Sequence, residues 1–241
     1  MSNQMLIYGK PVPLSKEKHA GTWIEVGNDF GYTKSLNALP VLAAEFIVAS
    51  REFPIVFAQA KEQYQPMVLL SMRGEQNFFL DEQNRWTGRY QPAFLRRYPF
   101  VFSPTEDAKN FILCVDETYK GLNKEGKGQP LFADDGQPSP YVNSILEFLR
   151  HFQVEQAKTQ ALCQKLDELD LLESQNAVWT SPEGEKVTLA GFACVNREKL
   201  KAVPPKMLAK MIETGEMDLI YAHLHSLHNL NSFKNKMIET A

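Results

Sequence analysis

The segment Tyr90–Ser103, which reads YQPAFLRRYPFVFS, constrains the fold more than any other part of the chain. It places two arginines, two prolines and five aromatic residues within fourteen positions. Pro92 suits the first position of a short helix, where its missing N–H costs nothing. Pro99 cannot continue that helix and biases the residue before it towards an extended backbone. The segment therefore predicts a helical turn over Pro92–Arg97 that leads into a buried strand, Phe100–Phe102.

The two arginines of this segment, Arg96 and Arg97, lie among apolar residues that favour burial. A guanidinium in such a setting is paired, or it faces a cavity that holds an anion. Two interpretations stay open from the residues alone. The arginines form a structural pair with Asp116 or Glu117, or they form a site for a ligand or a partner.

The composition limits the class of protein. The chain has 241 residues, 44% hydrophobic and 23% charged, with a net charge of −3. Its length suffices for one large domain or two small ones. The slight negative charge and the absence of a long run of one sign argue against a general nucleic-acid or membrane-surface binder.

The cysteines and the apolar runs bear on the compartment. Cys114, Cys163 and Cys194 are widely spaced and form no C-x-x-C pair, which fits reduced thiols in a reducing compartment. Residues 1–10 contain no apolar core of signal-peptide length, and no run approaches the roughly 20 apolar residues of a membrane span. We predict a soluble, cytoplasmic protein.

The part of the chain between residues 23 and 116 has the pattern of a mostly antiparallel sheet. Turn signals at Arg73–Glu75 and Pro104–Asp107 predict two hairpins there. Short apolar runs bounded by turn residues predict the strands, which are Trp23–Val26, Ile55–Ala58, Met67–Met72, Asn77–Leu80, Phe100–Phe102 and Asn110–Val115.

Three stretches predict the main helices. Pro40 precedes a run that is apolar almost all round, which predicts a buried helix over Val41–Arg51. Ser139 suits the N-cap of a long amphipathic helix that reaches about Leu172, with a break possible near Gln156–Thr159. Further along the chain the pattern predicts another hairpin, Ala177–Ser181 with Lys186–Leu189, and a strand Gly191–Val195. It also predicts a short helix capped by Asn196 and two C-terminal helices, Lys206–Glu213 and Met217–Asn235.

Together these elements predict one α+β domain over residues 1–241, in which residues 1–21 form an N-terminal arm. The mostly antiparallel sheet carries the buried helix. The long amphipathic helix and the C-terminal helices pack on the sheet, and the hairpin of Ala177–Ser181 and Lys186–Leu189 extends or flanks it.

The residues that could support catalysis or metal binding form no constellation. His225 and His228 have the helical spacing of a metal pair, but His223 points about 200° away from His225 on a regular helix. The chain has no G-x-S-x-G, no P-loop and no G-x-G-x-x-G. The sequence therefore predicts no catalytic residue, no metal site and no cofactor.

Five separated motifs occur in a fixed order, and they are EFIVASREFPIVF, PAFLRRYPF, ILCVDE, LFADDGQPSP and LIYAHLHSL. In this combination the chain closely resembles the bacterial SapC family, from about Asn37 to Asn229. Glu45, Arg51 and Pro54 match the family pattern, as do the paired arginines. The chain departs from it where NALP replaces the NELP of many relatives, so that one acidic position is absent.

The resemblance implies a limited amount about function. The family takes its name from surface-layer loci, has no established activity and is distinct from the peptide-transporter permease of the same name. Its members are often encoded beside TonB-dependent outer-membrane receptors, tryptophan-halogenase-like proteins and cupin-like hydroxylases. The resemblance therefore implies a role in nutrient uptake or in the modification of a peptide or small molecule.

The hypothesis that we favour is a non-catalytic binding or adaptor protein for a peptide, a small molecule or a protein partner, such as a halogenase-like or cupin-like enzyme or a receptor component. The alternatives are a small-molecule enzyme with a scattered site and a surface-layer or envelope-associated protein. The candidate ligand- or partner-binding residues are Tyr90, Arg96, Arg97, Asp116, Glu117, Tyr221 and His223.

Overall fold

The computed structural model describes residues 5–60, 63–105, 110–180 and 186–239. It confirms the predicted mixture of helices and antiparallel sheets, with 37% helix and 27% strand. The chain divides into two compact units. The first unit contains Met1–Asp29 and Ala93–Val154, and the second contains Phe30–Pro92 and Glu155–Ala241. The single domain over residues 1–241 stays a prediction.

The strands and helices of the described residues have the following bounds. The strands are β1 Pro11–Pro13, β2 Trp23–Ile24, β3 Ala38–Pro40, β4 Ile55–Ala60, β5 Gln63–Leu69, β6 Phe100–Pro104, β7 Phe111–Asp116, β8 Leu122–Asn123, β9 Gln129–Pro130, β10 Leu172–Thr180 and β11 Lys186–Val195. The α-helices are α1 Lys16–His19, α2 Phe46–Ala49, α3 Ala93–Arg96, α4 Pro140–Glu168, α5 Arg197–Lys201, α6 Pro205–Glu213, α7 Glu216–Ser226 and α8 Leu230–Glu239.

The first unit contains two small antiparallel sheets, with strand orders β1-β7-β6 and β8-β2-β9 among the described residues. The predicted hairpin of β6 and β7 is confirmed, and part of its predicted turn, residues 106–109, lies outside the described residues. Within the range expected to be an arm, β1 pairs with β7. Apolar residues from both sheets and from the first half of α4 form the core, which contains Ile24, Phe100, Leu113, Val115, Leu131, Val142 and Leu149.

The second unit is built on a five-stranded antiparallel sheet with the order β10-β11-β4-β5-β3. The predicted strands Lys186–Leu189 and Gly191–Val195 are one continuous strand, β11, which pairs with β4 through Phe192 and Ala193. The hairpin predicted from Ala177–Ser181 and Lys186–Leu189 therefore extends this sheet, and its predicted turn, residues 181–185, lies outside the described residues. The expectation of one sheet over residues 23–116 is wrong, because the described strands of that range are distributed over three sheets. Short strands can satisfy the same alternating pattern with different partners, and the pattern alone does not select them.

The predicted pairing of Met67–Met72 with Asn77–Leu80 is also wrong. β5 has β4 on one side and β3 on the other, so both of its edges are already hydrogen-bonded. Asn77 forms a local turn instead, since its side-chain oxygen accepts a hydrogen bond from the N–H of Phe79 at 2.9 Å. Among the described residues, this segment makes a single main-chain hydrogen bond to the β5 side, from the N–H of Phe78 to the carbonyl of Leu70 at 3.1 Å, and an isolated bridge between Leu80 and Trp86.

The buried helix expected over Val41–Arg51 is shorter and only half buried. It consists of a 3₁₀ turn, Ala43–Glu45, followed by α2. Phe46 is buried, whereas Ile47 is 53% exposed. The all-round apolar pattern did not predict the burial of this helix correctly, because apolar side chains are common on protein surfaces.

The long amphipathic helix is confirmed as α4, which is continuous through the predicted break at Gln156–Thr159. Ser139 caps it, with its hydroxyl oxygen accepting a hydrogen bond from the N–H of Val142 at 3.2 Å. Its residues up to Val154 belong to the first unit and the remainder to the second. Among the described residues, no helix is both long and apolar enough to cross a membrane.

The C-terminal helix predicted over Met217–Asn235 is interrupted. α7 ends at Ser226, a 3₁₀ turn covers Leu227–Asn229, and α8 follows. The Ser226 hydroxyl accepts a hydrogen bond from the N–H of Ile55 at 2.8 Å, and it donates one to the carbonyl of His223 at 2.6 Å. Asn229 donates to the carbonyl of Ser50 at 2.7 Å. These contacts fix the interruption against the sheet and α2, and sequence periodicity does not record them.

Candidate functional site

Arg97 lies inside a box of aromatic rings in the first unit. Its side chain is only 2% exposed. The guanidinium carbon lies 4.3 Å from the ring centre of Phe94, 4.9 Å from that of Phe152 and 5.6 Å from that of Tyr8. Such distances are typical of cation–π contacts, which are strongest where water is excluded.

The Tyr8 hydroxyl completes the surroundings of this arginine. Arg97 donates a hydrogen bond to the Tyr8 oxygen, and the Tyr8 hydroxyl donates one to the carbonyl of Phe100 at 2.6 Å. Burial lowers the pKa of Arg97 and raises the pKa of Tyr8. A guanidinium starts from so high a pKa that it stays charged, so a buried cation is held by aromatic faces and a neutral phenol.

Arg96, the preceding residue, is placed differently. Its side chain is exposed, and its guanidinium carbon lies 5.5 Å from the ring centre of Phe148. The two arginines, which the sequence could not separate, therefore have distinct surroundings on the short helix α3 and directly after it.

The acidic residues Asp116 and Glu117 anchor the N-terminal segment. Asp116 is fully buried and accepts main-chain hydrogen bonds from Gly9 at 2.7 Å and Lys10 at 2.9 Å. Burial by itself raises its pKa, but hydrogen bonds from Thr118, Lys10 and Gly9 hold the pKa of Asp116 below its usual value. Hydrogen bonds from Lys10 and Lys18 lower the pKa of the Glu117 carboxyl to about 2.

Tyr90 lies in the second unit, in a network of carboxylates. Its hydroxyl donates to the buried Glu45 at 2.6 Å, and its N–H donates to Glu52 at 3.1 Å. Its carbonyl accepts a hydrogen bond from the indole of Trp86 at 3.0 Å. The contacts of both its side chain and its main chain hold this tyrosine in a defined position.

His223 and Tyr221 lie on different faces of α7. His223 is fully buried, with Nδ1 2.8 Å from the carbonyl of Ile55 and Nε2 3.1 Å from the N–H of Val195. This geometry requires the tautomer in which Nδ1–H donates and Nε2 accepts. Burial lowers the pKa of His223 to about 4, so the ring is neutral at physiological pH. Tyr221 is exposed.

The structure therefore distributes the predicted site residues over several surroundings. Arg96, Arg97, Asp116 and Glu117 belong to the first unit, and Tyr90, Tyr221 and His223 belong to the second. Their role as a ligand or partner site stays a prediction. Among the described residues, no three His, Cys, Asp or Glu side chains are grouped so as to hold a metal ion.

The second unit also has a cleft of about 650 Å³ that the sequence analysis missed, which we call the β10–β11 cleft. One wall is the face of β10 and β11, and the other is formed by the end of α7 and the start of α8. Its lining residues are Met72, Glu173, Gln175, Asn176, Ala177, Val178, Phe192, Cys194, Val195, Asn196, Arg197, Glu198, Leu224, Leu227, Leu230 and Asn231.

Strand register builds the sheet wall of this cleft. Glu173 lies opposite Cys194, and Gln175 lies opposite Phe192. Cross-strand partners point to the same face of a sheet, so these four side chains are side by side. Phe192 and Cys194 are buried, whereas Glu173 and Gln175 are exposed. The wall thus changes from apolar on β11 to polar on β10.

The start of α5 supplies the charged rim of the cleft. Asn196 caps this helix, since its side-chain oxygen accepts hydrogen bonds from the N–H groups of Glu198 at 2.8 Å and Lys199 at 3.1 Å. The Asn196 amide donates to Glu173 at 3.0 Å. Glu198 forms an ion pair with Lys201 at 2.8 Å. Arg197 has no ion pair within the described part of the chain.

Cys194 contributes to the floor of the cleft as an apolar group. Burial raises the pKa of its thiol to about 12. The thiol is therefore protonated at neutral pH, where it packs as a small hydrophobe and is a weak nucleophile. The two apolar side chains at alternate β11 positions were visible in the sequence, but the opposing helix wall was not.

The comparison with protein families concerns nearly the whole chain. The SapC family model matches residues 14–233 of the 241. This chain belongs to the SapC family. The match confirms the resemblance carried by the five motifs. No curated protein matches the chain, and no solved structure matches it. The matched region of this SapC-family protein includes every candidate residue and the whole β10–β11 cleft.

Proposed function

We propose that this SapC-family protein is a non-catalytic binding protein and that the β10–β11 cleft is its ligand site. The observation that carries the proposal is a cleft of about 650 Å³ with an apolar floor and a polar rim. Ligand sites typically have volumes of roughly 300–1,000 Å³ and combine apolar walls with a few polar groups that fix the ligand.

The chemistry of the cleft defines the class of ligand. Phe192 and Leu224 are buried at its floor and offer an apolar surface. Asn176 and Asn231 at the rim offer amide donors and acceptors, and the Arg197 guanidinium is available to an anion. The cleft therefore suits an amphipathic ligand whose apolar part lies on the floor and whose carboxylate binds Arg197.

The reactive groups in and beside the cleft support binding over turnover. The Cys194 thiol is protonated, and both ring nitrogens of His223 are hydrogen-bonded to the main chain. Glu173 accepts a hydrogen bond from the Asn196 side chain, which gives this carboxylate a structural task. These groups hold the walls of the cleft in place, and general acid–base catalysis needs a group that is free to exchange a proton with the ligand.

The cellular role that we propose is the carrying or presentation of such a ligand in the cytoplasm to a partner, of the enzyme or receptor classes that the family resemblance implies. All three cysteines are buried and free, which supports a reducing compartment. Purification of the protein from its own cells, followed by native mass spectrometry, tests this role through the mass of any retained ligand or partner.

Replacement of Arg197 tests the site itself. We expect Arg197→Ala to lower the affinity for carboxylate ligands at least about tenfold, because a charge-assisted hydrogen bond contributes roughly 1.5–3 kcal/mol to binding. The measurement is ligand-observed NMR with a mixture of amino acids, short peptides and carboxylate metabolites. Arg150→Ala is the matched control, since Arg150 is an exposed arginine of α4 in the first unit.

Two results would contradict this proposal. Equal affinity of the wild-type protein and Arg197→Ala for every compound that binds would remove the cleft as the site. Chemical conversion of a bound compound during prolonged incubation would show an enzyme instead of a binding protein.

A further inference from the structure

β10 is an edge strand of the five-stranded sheet. It has nine residues and is paired on one side only, with β11, whereas the opposite edge strand β3 has three. Within the described part of the chain, the strand pairing of β10 is entirely with β11. A strand paired on one side presents a row of N–H and C=O groups on the other.

The side chains of this edge do little to block another strand. β10 reads LESQNAVWT, in which Glu173 is the one charged residue. It contains no lysine and no proline, which are common means of preventing strand addition at an edge. A register shift between Gln175 and Ala177 is the one irregularity of its pairing with β11. The extra residue lies on β11, where Ala190 and Gly191 both oppose Asn176. The exposed Asn176 lies at that shift and lines the cleft.

The same segment of β10 forms both the edge and one side of the cleft. The residues of this segment that line the cleft are Glu173, Gln175, Asn176, Ala177 and Val178. A chain laid along this edge would have β10 between itself and the apolar floor on β11, so its long side chains on the cleft face would reach over Gln175 towards that floor, with Arg197 at the rim. Main-chain hydrogen bonds and an apolar cleft for alternate side chains are the two features by which sheet edges recognise extended peptides.

We infer that the ligand class of the cleft is an extended peptide that adds to β10 as a further strand. The inference rests on the proposed function, because it names the ligand of the same site. Long apolar side chains at alternate peptide positions reach over β10 towards the floor at Phe192 and Leu224, and a peptide carboxylate binds Arg197. A peptide fits better than a compact metabolite because only a polyamide repeats donors and acceptors at the spacing of a strand.

The test uses a phage-displayed library of random peptides about ten residues long, the upper range of common strand lengths. The tightest binder is synthesised and added to the full-length protein. We expect amide hydrogen exchange to slow at least about tenfold at the alternate residues of Glu173–Val178 whose N–H groups face the free edge, as these groups become hydrogen-bonded. N-methylation of the peptide is expected to abolish binding at every second residue and to be tolerated at the residues between, because alternate N–H groups face the sheet.

Two exposed valines give a matched pair of variants. Val178, on the β10 edge, is 53% exposed, and Val154, on α4, is 54% exposed. Val178→Lys is expected to lower the affinity for the selected peptide at least about tenfold, because lysine opposes strand addition at an edge. Val154→Lys is expected to leave its affinity unchanged.

The outcomes separate this inference from the proposed function. Strand addition is overturned if Arg197→Ala abolishes binding of the peptide, but the peptide neither slows amide exchange in β10 nor shows an alternating effect of N-methylation. That result leaves the cleft as the site. Failure to select any peptide also overturns it, while the compound screen still decides the proposed function. Concentration-dependent dimerisation with protected β10 amides and no peptide overturns it in favour of a second copy at the edge.

Discussion

Arg97→Ala is expected to lower the free energy of unfolding by about 3 kcal/mol, within the range for truncating a large buried side chain. The substitution removes the contacts with Phe94, Phe152 and Tyr8 and leaves a cavity between the rings. It also removes the hydrogen bond to the Tyr8 hydroxyl. Desolvated cation–π contacts alone are worth about 2 kcal/mol or more.

The measurement is urea denaturation, and Arg96→Ala is the control. Arg96 is the same residue type, one position away and exposed, so its removal is expected to cost less than about 0.5 kcal/mol. Arg97→Lys should also destabilise the protein, because an ammonium group is not planar and cannot stack on aromatic rings as a guanidinium does. Unchanged stability of Arg97→Ala together with weaker ligand or partner binding would instead support the site interpretation of these arginines.

The stability of the protein is expected to fall by about 3 kcal/mol as the pH decreases from 6.5 to 4, because of His223. Its pKa in the folded protein is about 4, against an ordinary value of 6.5. The unfolded chain therefore takes up the proton first, at about 1.4 kcal/mol per pH unit. The contribution of the neutral His223 ring to the free energy of unfolding is complete above pH 6.5 and is lost as the pH falls through 4. Protonation would break the hydrogen bond that Nε2 accepts from Val195.

This prediction is checked by measuring the free energy of unfolding at intervals between pH 7.5 and about 4. In His223→Gln the starting stability should be lower and the slope in this window much flatter. His19 adds a contribution of the same sign, since burial lowers its pKa too, so His19→Gln serves as the comparison. An undiminished slope in His223→Gln would contradict the assignment of a buried, neutral imidazole.

Local signals in the sequence predicted the elements that depend on neighbouring residues. The caps at Ser139 and Asn196 act as expected, and the hairpin of β6 and β7 forms where its turn signal lies. Gly215 lies between α6 and α7 in the left-handed conformation, with φ of 76°, which glycine commonly adopts at a helix end. In each case the physical cause lies within a few residues of the element.

Features that depend on distant residues were not predictable. β5 pairs with β3 and β4. α7 ends at Ser226, whose hydroxyl accepts a hydrogen bond from the N–H of Ile55 in β4. The β10–β11 cleft has the same origin, because its walls come from residues far apart in the chain. His223 shows an intermediate case. As a histidine it was a candidate binding residue in the sequence. Its hydrogen bonds to the main chain of Ile55 and Val195 show that it joins α7 to β4 and β11.

The location of ligand binding shows most directly whether the β10–β11 cleft is the ligand site. The measurement is the shift of backbone amide NMR signals in isotopically labelled protein when the tightest compound from the carboxylate and peptide screen is added. We expect the largest shifts along the cleft, at Asn176, Val178, Phe192, Leu227 and Asn231. Shifts centred on Arg96 and Arg97, with the cleft signals unchanged, would contradict this expectation.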